Sequence, residues 1–124
     1  MLKTIKSLLP SDFKVIIGDV PDSPDNLCSL FSTGGYAPAR GLGEKSSYIR
    51  YPTFQIRARS KSYEAAQLYL AKCWKAVEGY SDGKIKNVTV MSDVFYLGRD
   101  DKGRAEFTLN FRAEVYENEE QDNS

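Results

Sequence analysis

Two segments of the chain alternate apolar and polar residues with a period of two, which is typical of half-buried β-strands. Residues 53–60 place apolar side chains at Phe54, Ile56 and Ala58, and residues 107–115 follow the same pattern. Their polar positions face the other way. The pattern therefore predicts two strands of one sheet, each with one face in the core.

Helical periodicity dominates the stretch between these strands. Ser62 is a favourable N-cap residue, and Gly79 is suited to end a helix. One face of this predicted helix is apolar, at Tyr63, Ala66, Leu70, Cys73 and Val77. A second, short helix is predicted near the N-terminus from Leu2 to Leu9, where Pro10 stops it.

Shorter apolar runs predict the remaining strands, and turn residues separate them. The strand segments are Phe13–Ile17, Leu27–Thr33, Lys84–Met91 and Val94–Leu97. Residues 18–26 and 100–103 are rich in Asp, Pro and Gly and are predicted to be turns. Between Gly34 and Ser47 the chain has four Gly and one Pro. This stretch is therefore predicted to be a long mobile loop, and it is a candidate functional surface.

These elements predict one α+β domain over residues 1–116. We expect a mostly antiparallel sheet packed against one long helix, with a short N-terminal helix and the long mobile loop. After Arg112 the chain has five acidic residues and no basic one. Residues 117–124 are therefore predicted to form a disordered acidic tail.

Composition narrows the classes of partner. Seventeen basic residues balance seventeen acidic ones among 124, so there is no net positive field to attract nucleic acid or anionic lipid. No apolar run approaches the roughly twenty residues that span a bilayer, and the N-terminus does not resemble a signal peptide. We therefore expect a protein of the cytoplasm, with Cys28 and Cys73 as reduced thiols in the core.

The sequence offers little for catalysis. It contains no His, which removes the commonest general base and metal ligand, and no nucleotide-binding or zincin motif. We predict no catalytic, cofactor-binding or metal site. Asp19, Asp22 and Asp25 could gather around a hard cation, but beside Pro21 and Pro24 a structural turn is the favoured interpretation.

Two arginines on the polar side of the first alternating strand are candidate contact residues. Arg57 and Arg59 follow Tyr48 and Tyr51, a combination that could form a platform for single-stranded nucleic acid. The favoured alternative is an ion-paired sheet face or a contact between subunits.

Several stretches, taken in their order along the chain, together resemble a known family. They are Leu8–Asp12, Gly18–Asn26, Thr33–Gly35, Pro52–Arg57, Lys61–Ala66, and Leu97–Asp100 with Phe107–Arg112. In this order and spacing the chain is similar to phage minor capsid proteins of the tail-terminator type, which complete the tail and join it to the head. The resemblance runs from the first helix to about Arg112.

The resemblance implies a virion protein without enzymatic activity. It implies a hexameric ring of this chain that caps the head-proximal end of the tail tube, stops its polymerisation, and contacts the tail tube protein and the head connector protein, with DNA only passing through. The site residues that we then expect are Arg57, Arg59 and Arg112 for subunit or partner contacts, and Arg40, Lys45 and Arg50 for a loop facing the lumen or the tube. Two alternatives stay open: a head-completion connector of the neck, and a module that binds single-stranded nucleic acid.

Overall fold

The computed structural model describes residues 1–40 and 47–118, with side chains placed for residues 1–36 and 49–116. Two helices and six strands follow one another in this part of the chain. In order they are α1 (Leu2–Leu8), β1 (Lys14–Ile17), β2 (Leu27–Arg40), β3 (Ser47–Ser60), α2 (Tyr63–Val77), β4 (Ile85–Val90), β5 (Phe95–Arg99) and β6 (Ala105–Asn118).

The six strands form one mixed sheet with β3 and β6 at its centre. The strand order is β1-β2-β3-β6-β4. β5 also pairs with β6, on the same edge as β4 but nearer the start of β6. β1 runs parallel to β2, whereas the remaining pairs are antiparallel. The alternating segments recognised in the sequence are thus the two central, adjacent strands of the sheet.

Both helices pack on one face of the sheet and close the core there. Phe54 and Phe111 are register partners on β3 and β6, and their rings stack with centroids 5.2 Å apart. Tyr69 of α2 stacks on Phe13 at 4.3 Å and donates a hydrogen bond to the Pro10 carbonyl, which ties α2 to the segment after α1. The apolar residues of the period-two pattern therefore form the core, as predicted.

The predicted boundaries of the long helix are confirmed. The Ser62 hydroxyl accepts a hydrogen bond from the Ala65 N–H at the start of α2, and Gly79 follows the C-cap residue Glu78 with φ +80°. Its buried residues are Ala66, Tyr69, Leu70, Cys73 and Val77. Both cysteines are free thiols in the core.

The prediction of a long mobile loop over residues 34–47 is wrong wherever the structure describes that stretch. Residues 34–40 continue β2, and Ser47 already belongs to β3; residues 41–46 lie outside the described part. Two register shifts interrupt the β2–β3 pairing; Gly34 lies within the first, between Ser32 and Gly35, and the second lies between Tyr36 and Ala39. A Cβ on Gly35 would lie 2.5 Å from the Tyr51 carbonyl oxygen, and its φ is +149°. Glycine is needed there for close approach between strands.

The predicted fold class is wrong as well. We expected an α+β domain with a mostly antiparallel sheet packed on one long helix; the described chain is mostly sheet, six-stranded and mixed, with two helices of which one is short. The difference has two causes. The stretch that we interpreted as a loop extends β2 and β3 to 14 residues each, and the connection over residues 18–26 returns the chain parallel to β1.

Candidate assembly surface

The face of the sheet opposite the helices carries a central group of polar side chains, which we call the central face. Strand register places its members in three neighbouring rows across β3 and β6, because paired residues share a face. The rows are Arg57 with Thr108, Gln55 with Asn110, and Thr53 with Arg112. The central face therefore holds two positive charges and no negative one.

Asn110 organises the middle of the central face. Its side-chain oxygen accepts a hydrogen bond from Gln55 Nε2 at 3.2 Å, and its backbone N–H and Nδ2 donate to Ser92 Oγ. The Asn110 carbonyl also accepts from the Met91 N–H at 2.8 Å. These bonds occupy the backbone groups of β6 where β4 has ended and β5 has not begun, so the sheet stays closed across that break.

Arg57 and Arg112 differ in exposure but share the lack of a carboxylate partner. Arg57 is half-buried, and its Nε is buried without a hydrogen-bond acceptor in the described part of the chain. Arg112 is exposed, and neither guanidinium forms an ion pair with a described residue. The terminal nitrogens of Arg57 form no hydrogen bond with a described residue either, and together with the exposed Arg112 they make this face chemically suited to receive a carboxylate.

Arg59 lies on the same side of β3 but is covered by its own chain. The connection over residues 18–26, which we call the acidic turn, folds over it, so that Arg59 is only 3% exposed. Its Nη2 donates to the Pro24 carbonyl at 2.6 Å, and burial lowers the pKa of Arg59. Ser60 next to it donates to Asn26 Oδ1 at 2.7 Å. Within this subunit Arg59 holds the acidic turn against the sheet.

Sequence reasoning missed Arg104, the second buried arginine under the acidic turn. Arg104 is also 3% exposed; its Nε donates to Asp100 Oδ2 at 2.8 Å, and its Nη2 lies 3.2 Å from Asp22 Oδ1. Asp25 Oδ1 is 3.4 Å from Nη1. Asp22 and Asp25 thus serve as partners of Arg104. The turn predicted at residues 100–103 brings Asp100 near Arg104, but no local signal in the sequence points to Asp22 or Asp25.

An apolar edge borders the central face. Four large side chains within seven residues of β5 and the segment before it are exposed, namely Met91, Phe95, Tyr96 and Leu97. Phe95, which is 62% exposed, pairs with Thr108 and therefore lies in the same row as Arg57. Exposed apolar clusters of this kind mark contact surfaces between proteins.

Of the residues that we expected to face a lumen or tube, Arg40 and Arg50 lie near the ends of β2 and β3 that are distant from Arg57. Arg40 is the last residue of β2, without a described side chain, and Lys45 lies outside the described residues. Arg50 is exposed and pairs with Val115 of the core, so it points to the helix side of the sheet. There it lines a cavity of about 270 Å³ with Met1, Thr4, Pro52, Asp82, Lys84, Ile85 and Val115. Arg50 is thus separated from Arg57 and Arg112 by the sheet.

Over residues 1–40 and 47–118, no helix is long and apolar enough to cross a membrane. In the same ranges, no group of three or more His, Cys, Asp or Glu side chains is arranged to hold a metal ion.

The polar face, whose two arginines form no ion pair among the described residues, and the apolar edge beside it are typical of a protein that works through contacts with other macromolecules. The sequence model of the family described as "Bacteriophage tail terminator protein" matches residues 2–117. The chain belongs to this family, and it is therefore a structural, tail-related phage protein. The resemblance inferred from the sequence is confirmed.

The fold is also found among solved structures. A chain described as "Virion of native gene transfer agent (GTA) particle" superimposes with a TM-score of 0.62 at 21% sequence identity. The alignment covers 90% of this chain and 84% of that one. At 21% sequence identity this similarity establishes a shared fold only. No curated protein matches the sequence.

Proposed function

We propose that this protein caps the head-proximal end of a phage tail tube, stops polymerisation of the tube, and joins the tail to the head connector. It acts as a hexameric ring without catalysis. Its partners are other copies of itself, the tail tube protein and the head connector protein, while DNA only passes through the ring. It is made in the host cytoplasm and becomes part of the virion.

One observation carries this proposal: the tail terminator family covers residues 2–117, which is nearly the whole chain. The fold likeness to a chain from a gene transfer agent virion agrees with it. The surface agrees too, because an assembly protein needs contact surfaces, and the central face and the apolar edge have that chemistry.

The structure refines the residues proposed for contacts. Arg57 and Arg112 stay proposed subunit or partner contacts, since each presents a guanidinium without a carboxylate partner among the described residues. Arg59 is bonded within its own subunit, so its part in a contact would be to fix the surface beside Arg57. Arg40, Lys45 and Arg50 stay proposed for the surface that faces the lumen or the tube.

The proposal is tested by deleting the gene from the phage or prophage that encodes it and examining the particles by electron microscopy. We expect overlong tails without heads, beside heads filled with DNA, and we expect the wild-type gene supplied on a plasmid to restore normal particles. Free tails of normal length beside filled heads would instead assign the protein to head completion. Intact virions would remove the structural role.

Binding of an oligonucleotide to the purified protein tests the nucleic-acid alternative. A single-strand binding module loses affinity steeply as salt increases and would depend on Arg57 and the aromatic residues near it. We expect no salt-dependent binding of an oligonucleotide at physiological ionic strength. Tight binding that is lost in Arg57→Gln, together with intact virions from the deletion, would replace the capping function by nucleic-acid binding.

A further inference from the structure

The central face has a charge pattern that calls for a carboxylate-rich partner. Arg57 and Arg112 lie two rows apart, with the amides of Gln55 and Asn110 between them. Two acidic side chains lie in the flanking rows of β6, where Glu106 pairs with Arg59 and Glu114 pairs with Asn87 of β4. The centre of the face is therefore positive while its two ends are not.

A groove next to Arg112 adds hydrogen-bonding groups and room for a peptide. It has a volume of about 300 Å³ and is lined by Thr33, Gly35, Tyr36, Thr53, Met91 and Asn110. The Thr33 hydroxyl donates to the Thr53 hydroxyl at 2.8 Å, and Tyr36 is 56% exposed. Since Thr53 is the register partner of Arg112, a peptide in this groove would lie within reach of that guanidinium.

The chain itself carries a segment of complementary chemistry, the acidic segment of residues 117–124. It has four acidic residues, no basic one and no apolar one. Carboxylates on such a segment pair well with arginine, whose planar guanidinium can bind both oxygens. We propose that the acidic segment of one copy binds the central face of a neighbouring copy at Arg57 and Arg112, an inference that rests on the proposed ring.

Chain geometry keeps a subunit's own segment away from Arg57. Arg57 lies in the row of Thr108, ten residues before Asn118 on β6 and about 33 Å from it along the strand. Asp122, the last acidic residue of the segment, follows Asn118 by four residues and can reach at most about 14 Å from it. A carboxylate of the segment at Arg57 must therefore come from another copy.

A contact of this kind joins two different surfaces, so it is directional. When the same contact is repeated from each copy to the next, the copies form a closed ring if the rotation between neighbours divides a full turn evenly. Exposed ion pairs are individually weak and are screened by salt. The acidic segment therefore orients and selects the neighbouring copy, while apolar contacts supply most of the affinity.

Disulfide crosslinking between differently tagged copies tests the proposal. One full-length copy carries Thr89→Cys, since Thr89 is the register partner of Arg112 on β4, and the other carries Glu120→Cys. Cys28 and Cys73 are buried and can remain. In assembled particles we expect a crosslink between the two tags. We expect at least a tenfold lower yield with Arg57→Glu and Arg112→Glu, and recovery when Glu119 and Asp122 are changed to Lys.

The matched control places the same charge change on the helix side of the protein. Lys3→Glu with Lys6→Glu alters two exposed residues of α1 and should leave the crosslink yield unchanged. Because Arg57 is half-buried, a second variant with Glu119→Gln, Glu120→Gln and Asp122→Asn tests the same contact without changing the sheet. It should reduce the number of particles with heads attached to tails relative to the wild-type protein, most strongly at low salt, where the ion pairs are least screened.

The outcomes separate this inference from the proposed function. Particles with tails of normal length, but with no crosslink between copies or with crosslinks only inside one chain, would overturn the inference and leave the capping function standing. Intact virions after gene deletion would overturn the capping function itself. Full recovery of the crosslink by the compensating lysines would support the inference, while tail length in the deletion particles tests the capping function.

Discussion

Arg104 Nε donates a hydrogen bond of 2.8 Å to Asp100 Oδ2, and through this pair the β5–β6 turn is joined to the acidic turn. Asp100 Oδ1 also accepts from the backbone N–H groups of Lys102 and Arg104. On its other side Arg104 contacts Asp22 and Asp25. One guanidinium therefore connects two turns that are about eighty residues apart in the sequence.

We expect Arg104→Lys to lower the stability of the protein clearly, although the charge is kept. Lysine has one ammonium group and cannot match the fork that serves Asp100, Asp22 and the Asp22 carbonyl together. Urea unfolding followed by the fluorescence of Trp74 measures the change. Lys61→Ala is the control, because Lys61 forms an exposed ion pair of 3.6 Å with Asp25 and should matter little. Equal midpoints for both variants would contradict this role of Arg104.

Low pH should lower the free energy of unfolding through the carboxylates of Asp22 and Asp100. The backbone N–H of Arg104, followed by its guanidinium, holds the pKa of Asp100 below its usual value, and Lys102 does the same for the pKa of Asp22. A lowered pKa in the folded state contributes stability that is present above the unfolded pKa, near 4, and is lost as the pH falls through the folded pKa. Stability should therefore fall progressively below about pH 4.

The variant Asp100→Asn tests this assignment. It should lower the urea midpoint at pH 7 and flatten the loss of stability between neutral pH and pH 3. Asp101→Asn is the control, since Asp101 is exposed and forms no hydrogen bond or ion pair among the described residues. An acid-induced loss equally steep in Asp100→Asn and in the wild-type protein would show that other groups cause it.

Gly35→Ala should destabilise the β2–β3 hairpin by about 1 to 3 kcal/mol. The added Cβ would lie 2.5 Å from the Tyr51 carbonyl oxygen and 2.9 Å from Pro52 Cα, in a backbone conformation with positive φ. Gly83→Ala is the matched control, because a Cβ at Gly83 meets nothing within 4 Å, and it should change the free energy of unfolding by less than about 0.5 kcal/mol. Similar unfolding curves for both variants would remove the steric argument.

The position of Gly35 shows why the sequence pattern failed for the hairpin. Glycine is frequent in loops, but it is also used where two strands approach closely, and the sequence around Gly34 and Gly35 does not distinguish the two uses. The core was predictable for the opposite reason. Phe54, Ile56 and Ala58 alternate regularly with polar residues, and that period has one structural interpretation.

The candidate site was predictable only in part. Alternation correctly placed Arg57 and Arg59 on one side of β3, but it could not show that the acidic turn folds over Arg59. Such coverage depends on contacts between residues far apart in sequence, which local periodicity does not contain. The same holds for Arg104, whose partners Asp22 and Asp25 come from the other end of the chain.

Both cysteines should react slowly with thiol reagents in the folded protein. Cys28 and Cys73 have no exposed surface, and hydrogen bonding with Cys28 together with burial raises the pKa of the Cys73 thiol. Since the thiolate is the reactive form, native labelling at pH 8 should be at least about tenfold slower than in urea. Two thiols should then react over the same denaturant range in which Trp74 fluorescence changes. Rapid native labelling of either cysteine would show that α2 separates from β2 without global unfolding.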